Sequence, residues 1–167
     1  VSGIIRYHWI PAKYFSKRTG PIQSIILHAT EGTKAGDIPT LVGGDGRKVS
    51  VHWYVTREGD FYHFVQDADI ANHAGAVNQD AASNAHSIGI EQEYRAGVDT
   101  WTNVQIQSCA NLVAFLMQKH GGLKIFSHAE VAAPKGRKSD PENYPWNKFH
   151  ALLQESQIRT WSAEQIV

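Results

Sequence analysis

Residues 22 to 27 read Ile-Gln-Ser-Ile-Ile-Leu and run directly into His28. Four aliphatic residues in six positions, three of them β-branched and without strict alternation, ask for apolar neighbours on both faces. That pattern belongs to a buried central strand rather than to an edge strand with one wet face. The rest of the chain supplies the companions such a strand needs. Val49 to Thr56 alternates, with Val51, Trp53 and Val55 expected on one face and His52 and Tyr54 on the other. Arg57-Glu58-Gly59-Asp60 then reads as a hairpin turn into a strand from Phe61 to Val65. Ser87-Ile88-Gly89-Ile90-Glu91 alternates again, so Ile88 and Ile90 share the inner face while Ser87, Gly89 and Glu91 share the outer one. The glycine predicts open space beside that carboxylate.

Helices follow from a different period. Thr102 and Gln105 fit a capping box, and Ile106, Cys109, Ala110, Val113, Leu116 and Met117 recur at helical spacing until Gly121-Gly122, expected as a left-handed C-cap. Leu123 to Ser127 predicts another strand entering His128, and Trp146, Phe149, Leu152 and Leu153 mark a last amphipathic helix. Ala29 to Gly46 holds six glycines or prolines and predicts a loop with at most one short helix, while Asp67 to Ala85 predicts a loop of functional length. Strands mixed with helices, with no repeat and no Ser/Pro linker, give an α/β fold: a single domain spanning 1–167, its central mixed sheet flanked by helices. At 167 residues, such a domain buries roughly 70% of its unfolded surface.

Composition removes several function classes. Sixteen Lys and Arg balance sixteen Asp and Glu, which argues against nucleic acid or an anionic membrane as the main partner, since both need clustered excess cations. A single cysteine, Cys109, excludes an internal disulfide and zinc-finger patterns, and its place on the apolar face of the long helix predicts a buried hydrophobe. No apolar run approaches the roughly 20 residues of a bilayer span. Val-Ser-Gly-Ile-Ile-Arg at the start lacks a signal-peptide pattern, and a chain that opens on Val is expected to have lost a leader or a further domain.

Nine histidines stand out. His28 and His128 each follow a predicted strand, and Asp140 lies twelve residues beyond His128. Strand ends are where α/β sheets place their sites, and two imidazoles with one carboxylate can hold a tetrahedral zinc while leaving a fourth position open. Neither the His-Glu-x-x-His helix nor the Gly-x-Ser-x-Gly elbow is present. By spacing alone the trio remains compatible with surface or core histidines.

Six segments in order carry a resemblance: Ile25-Ile26-Leu27-His28-Ala29-Thr30-Glu31-Gly32, Val51-His52-Trp53-Tyr54-Val55 with Arg57-Glu58-Gly59, His73-Ala74-Gly75, Ser87-Ile88-Gly89-Ile90-Glu91, His128-Ala129-Glu130-Val131-Ala132 and Gly136-Arg137-Lys138-Ser139-Asp140-Pro141. Together, over about residues 22–153, the chain resembles the zinc N-acetylmuramoyl-L-alanine amidases, which include phage amidase-type lysozymes, bacterial recycling amidases and peptidoglycan recognition proteins. The resemblance implies that His28, His128 and Asp140 bind Zn2+, that Glu91 exchanges a proton with the attacking water and the leaving amine, and that Lys138 stabilises the developing oxyanion. Glu93 is the rival of Glu91, two positions along the same face. His73 and Tyr54 are the expected substrate contacts, with a hydrogen-bonding support role also open to His73; His52 is expected to be structural. The implied partner is peptidoglycan, cut between the lactyl group of N-acetylmuramic acid and L-Ala by a monomer acting outside the cytoplasm or delivered as a phage lysin. A non-catalytic peptidoglycan-binding module is the alternative. Three departures from the family pattern are Glu142 where Gly is usual after Asp-Pro, Asn72 where an aromatic residue often precedes His-Ala-Gly, and Val51 where many members carry Tyr.

Overall fold

The computed structural model describes residues 5–159; residues 1–4, part of the opening segment read above as lacking a leader, lie outside them. In chain order the elements are β1 (Tyr7–Trp9), β2 (Phe15–Lys17), β3 (Ser24–Leu27), α1 (Lys34–Leu41), β4 (Trp53–Val55), β5 (Phe61–His63), β6 (Asp69–Ala71), β7 (Ser87–Gln92), α2 (Asn103–His120), β8 (Lys124–Ser127), α3 (His128–Val131) and α4 (Trp146–Ile158). Six strands form one sheet in the order β1-β5-β4-β7-β3-β8. Within it β4 and β5 run antiparallel, and the remaining neighbours are parallel.

The aliphatic run becomes β3, and its four residues are buried. Ile25 and Leu27 pack with Ile88, Ile90 and the inner faces of α2 and α4, including Leu112, Leu116 and Phe149. Ile26 points the other way, against Ala74, Ala82 and Val131. Both faces of this strand are therefore dry, which is why no polar residue interrupts Ile25 to Leu27. On the first face α2 and α4 form the helical layer; on the second, α1, α3 and the long 72–86 segment cover the sheet.

Several local expectations change in detail. Thr102 does cap α2, accepting from the Gln105 amide at 3.2 Å, but the Gln105 side chain donates to the Glu93 carbonyl instead of closing a reciprocal box. Gly121 ends the helix with φ +90° and ψ −167°, a positive φ that favours glycine but lies outside the left-handed helical well. Strand β4 begins only at Trp53, so Val51 packs with Tyr54 and Phe64 rather than sharing the side of Trp53 and Val55. The segment read as a loop from Asp67 to Ala85 contains β6, which pairs antiparallel with β2. Three-residue strands such as β1, β2 and β6 are too short for an alternating pattern to declare itself, and β2 is exposed along its length.

Register fixes where chemistry can happen. Strand β3 pairs in parallel with β8, setting Leu27 opposite Ser127, and with β7, setting Leu27 opposite Ile90. The next residues along the three strands are His28, His128 and Glu91. Three chain segments thus deliver their functional side chains at one level, the carboxyl end of the parallel strands.

Candidate metal centre and groove

His28 leaves β3 with its amide still bonded to the Ile90 carbonyl at 2.9 Å, so the sheet holds its backbone. His128 opens α3, where Ser127 and Glu130 form a complete capping box that ends the strand sharply and turns the imidazole inward. Asp140 arrives on the loop before α4 and is tied in place by its backbone, which accepts from the Ala129 amide at 2.9 Å, and by its side chain, which accepts from the Ala29 amide at 3.3 Å. All three residues are buried, at 1%, 4% and 8% exposure.

The three meet. His28 Nδ1 lies 3.0 Å from His128 Nδ1, His128 Nδ1 lies 3.1 Å from an Asp140 carboxylate oxygen, and His28 Nδ1 lies 3.5 Å from the other. One ligand atom from each sits within 4.8 Å of the others. Burial pushes the His28 imidazole down to about 4, against the opposing pull of Asp140, so near neutral pH it offers a lone pair. His128 directs Nε2 to the Ala74 carbonyl at 3.0 Å; a carbonyl only accepts, so Nε2 carries the proton and Nδ1 is the atom turned to the cluster. Two nitrogens and a carboxylate converging in a buried place suit a divalent cation, and the donor set of two imidazoles and one carboxylate suits zinc with an open position.

Of the two competing carboxylates, Glu93 is committed elsewhere. Its oxygens accept from the Lys34 amide at 2.9 Å and the Arg57 amide at 3.0 Å, tying the start of α1 to the hairpin turn. Glu91 Oε2 is buried and has no hydrogen-bond partner among the described residues. Burial first, then the negative charge of Asp140, hold the Glu91 carboxyl well above its ordinary range. Glu91, His73, His128, Lys138 and Asp140 line a common groove of about 880 Å³. Lys138 is exposed and makes no hydrogen bond to another described residue.

Tyr54 requires correction as a direct substrate contact. It is fully buried, and its hydroxyl donates to Asp37 Oδ2 at 2.8 Å, so it presents no atom to the groove. Asp37, which also accepts from Thr30 Oγ1 at 2.7 Å, is the groove residue behind which Tyr54 stands. Nothing in its glycine-rich surroundings distinguished Asp37 in the sequence. The open space expected beside Gly89 is occupied: a Cβ there would stand 2.6 Å from the His73 ring. His73 does line the groove, with Nδ1 2.9 Å from His28 Nε2. His52 is fully buried and bonded to the Gly89 amide and the Asp69 carbonyl. Glu142 follows Asp-Pro without needing positive φ, because the loop makes its left-handed turn one residue later, at Asn143 with φ 53°.

Comparisons with known proteins agree with this geometry. Residues 18–143 match the N-acetylmuramoyl-L-alanine amidase family model. The 1,6-anhydro-N-acetylmuramyl-L-alanine amidase AmpD of Citrobacter freundii is 30% identical over 122 residues, covering 69% of this chain and 63% of the relative; the chain thus spans somewhat under two thirds of that relative's length. Among solved structures, the endolysin amidase LysCS from Clostridium intestinale superposes with a TM-score of 0.69 at 20% identity, covering 92% of this chain and 99% of its own, a likeness of fold alone. The amidase AmiD from E. coli, solved with anhydro-N-acetylmuramic acid-L-Ala-D-gamma-Glu-L-Lys, gives 0.66 at 26% identity over 78% of this chain and 57% of its own. With the family model spanning the segments that build the groove, from before β3 to beyond Asp140, the chain belongs to the N-acetylmuramoyl-L-alanine amidase family.

Proposed function

We propose that the protein is a zinc-dependent N-acetylmuramoyl-L-alanine amidase that hydrolyses the amide between the lactyl group of N-acetylmuramic acid and the L-Ala of the stem peptide. The observation that carries this reading is the His28–His128–Asp140 cluster opening through His128 and Asp140 onto a groove that Glu91 also lines, with a Glu91 oxygen that has no hydrogen-bond partner among the described residues. His28 Nδ1, His128 Nδ1 and Asp140 would hold the ion. When bound, zinc supplies Lewis-acid polarisation of the scissile carbonyl and lowers the pKa of water at the site.

Glu91 takes the proton from the attacking water as the new C–O bond forms. It returns that proton to the amide nitrogen as the C–N bond breaks, so the peptide leaves as a neutral amine. A carboxyl held above its ordinary range is a stronger base for the first half of that exchange, and its acid form still reaches the amide nitrogen as donor in the second. Lys138, with no hydrogen bond to another described residue, is the cation assigned to the oxygen on which negative charge develops. Asp37, pinned by Tyr54 and Thr30, forms a fixed polar wall of the groove.

A single chain supplies every one of these groups, so a monomer suffices. Among the described residues no helix is long and apolar enough to cross a membrane. We assign the activity to the intact wall, outside the cytoplasm. The test is release of stem peptide from purified sacculi beside soluble anhydromuropeptides, with zinc content measured on the same protein. Peptide release from sacculi at one zinc per chain supports the assignment; turnover of the soluble fragment alone moves the protein to wall recycling, and binding without turnover in added zinc makes it a recognition module.

A further inference from the structure

The proton positions around His28 can be read outward from a fixed acceptor. Ser87 Oγ lies 2.7 Å from the Ser83 carbonyl, which only accepts, so the one hydroxyl proton of Ser87 points there. Ser87 Oγ can then only accept from His73 Nε2, 3.2 Å away, and His73 carries its proton on Nε2. Its Nδ1 is left as a bare acceptor facing His28 Nε2 at 2.9 Å. His28 therefore holds its proton on Nε2 and turns a bare Nδ1 toward His128 and Asp140. Every hydrogen in this row is assigned by the partner behind it, back to a backbone carbonyl.

The next residue does the same for the other histidine. The Ala74 carbonyl accepts from His128 Nε2 at 3.0 Å, so the consecutive residues His73 and Ala74 each fix one imidazole. Their own positions are fixed in turn. Asn84 Oδ1 accepts from the His73 amide at 3.1 Å and from the Ala74 amide at 2.8 Å, and Arg137 donates to the Ala74 carbonyl at 3.0 Å. Gly89 completes the arrangement by omission: the His73 ring stands where its side chain would be, with the missing Cβ 2.6 Å from Cγ and Nδ1.

We propose that His73 is a positioning residue of the metal centre, and that the His73–Ala74 turn holds His28 and His128 with both Nδ1 atoms presented to the ion. The proposal deepens the zinc reading of this groove and rests on it. Residues behind the ligands of a metal commonly set affinity by ten- to hundredfold, because they select the ligand tautomer and orient the ring.

The direct test is nitrogen NMR of the imidazoles in the metal-free protein near neutral pH, with zinc affinity measured by competition against a chromophoric chelator. We expect His73 and His28 in the Nε2–H tautomer. Replacement His73→Phe is expected to lower zinc affinity ten- to hundredfold, and His73→Gln, whose amide can accept from His28 and donate to Ser87, to recover most of it. Gly89→Ala, which drives the ring out while leaving every polar group in the chain, is expected to fall between them. Asp67→Asn, whose side chain bonds Lys119, His120 and Trp53 rather than any residue of this row, controls for stability alone and is expected to leave zinc affinity unchanged. A proton found on His73 Nδ1 in the wild-type protein overturns the proposal, as does a folded His73→Phe protein with undiminished zinc affinity. Failure of the underlying reading looks different: a wild-type protein with these tautomers in place that binds no zinc overturns the metal assignment instead.

Discussion

Among the described residues, two clusters set histidine against a buried aspartate, and they behave in opposite ways. In one, Asp67 gathers Lys119 Nζ at 2.9 Å, His120 Nε2 at 2.8 Å and the Trp53 indole N–H at 3.3 Å. Each contact sets a donor against an acceptor, so both carboxylate oxygens are engaged. Burial alone would raise Asp67, but hydrogen bonds from His120 and Lys119 outweigh it and hold the carboxyl far below its ordinary range. In the other cluster, His28 and His128 direct their N–H groups backward to His73 and the Ala74 carbonyl. Their bare nitrogens and the Asp140 carboxylate are left facing one another. Residue type is similar in the two places; the direction of the protons separates a structural ion pair from a place for a cation.

Removing the ion should break the comparison most completely. Chelation, or His128→Ala, is expected to abolish peptide release from sacculi while far-UV circular dichroism stays unchanged, whereas chelation should have no effect on the Asp67 cluster or on the folded state it supports. If hydrolysis persists in metal-free protein, the converging lone pairs serve some other purpose.

Glu91→Gln comes next. Loss of an acid–base group typically costs about 10² to 10⁴ in rate, seen here as kcat in a muropeptide assay. The same change should raise the stability of the metal-free protein above pH 4.5, because the amide carries no charge to be buried beside Asp140, measured by urea titration. The sign with pH follows from the raised carboxyl: in the metal-free protein, charging Glu91 becomes less favourable on folding, so its contribution to stability falls as pH rises past the ordinary value of 4.5. For activity the base must be ionised, so the part of the acid limb of kcat/KM that belongs to Glu91 should vanish in Glu91→Gln residual activity.

Lys138→Ala is expected to reduce kcat by about 10²-fold, the usual scale for one oxyanion-stabilising donor, with zinc content unchanged. Equal loss in Lys135→Ala would show that general positive charge, rather than this position, is at work.

The smallest effect on chemistry, and a clear one on stability, should come from the structural cluster. Asp67→Asn is expected to cost about 1.5–3 kcal/mol, the range for hydrogen bonds to a charged group, with kcat within about twofold of wild type. Because the folded carboxyl is depressed, its contribution is fully present above the ordinary value of 3.8 and lost as pH falls toward the folded one. Acid unfolding of the variant should therefore lose part of its pH dependence, read from denaturant midpoints between pH 5 and pH 2.

Much of this was legible before the fold. The run ending at His28 announced a strand dry on both sides, and the capped apolar stripe from Thr102 announced α2, because burial on a sheet and on a helix face leave different local periods. His28, His128, Asp140, Glu91 and Lys138 could be named from ordered motifs. The ordered motifs favoured Glu91 over Glu93 on the same strand face, but local pattern could not show the physical reason, that the amides of Lys34 and Arg57 close on Glu93. Nor could it show that Tyr54 points into Asp37, or that the space at Gly89 belongs to His73.

The amino-acid sequence by itself determined the longer elements, β3, β7, α2 and α4, and which side chains are available at their ends. Tertiary structure alone decided how those ends meet, since Leu27 lies opposite Ser127 only through a parallel register between strands far apart in the chain, with the two histidines 100 residues apart. It also decided where each imidazole proton points, because the acceptors that assign them, the Ala74 and Ser83 carbonyls, belong to a loop with no repeating pattern. Periodicity records burial, a local property of each element; hydrogen-bond direction is a property of pairs, and exists only once the chain has brought them together.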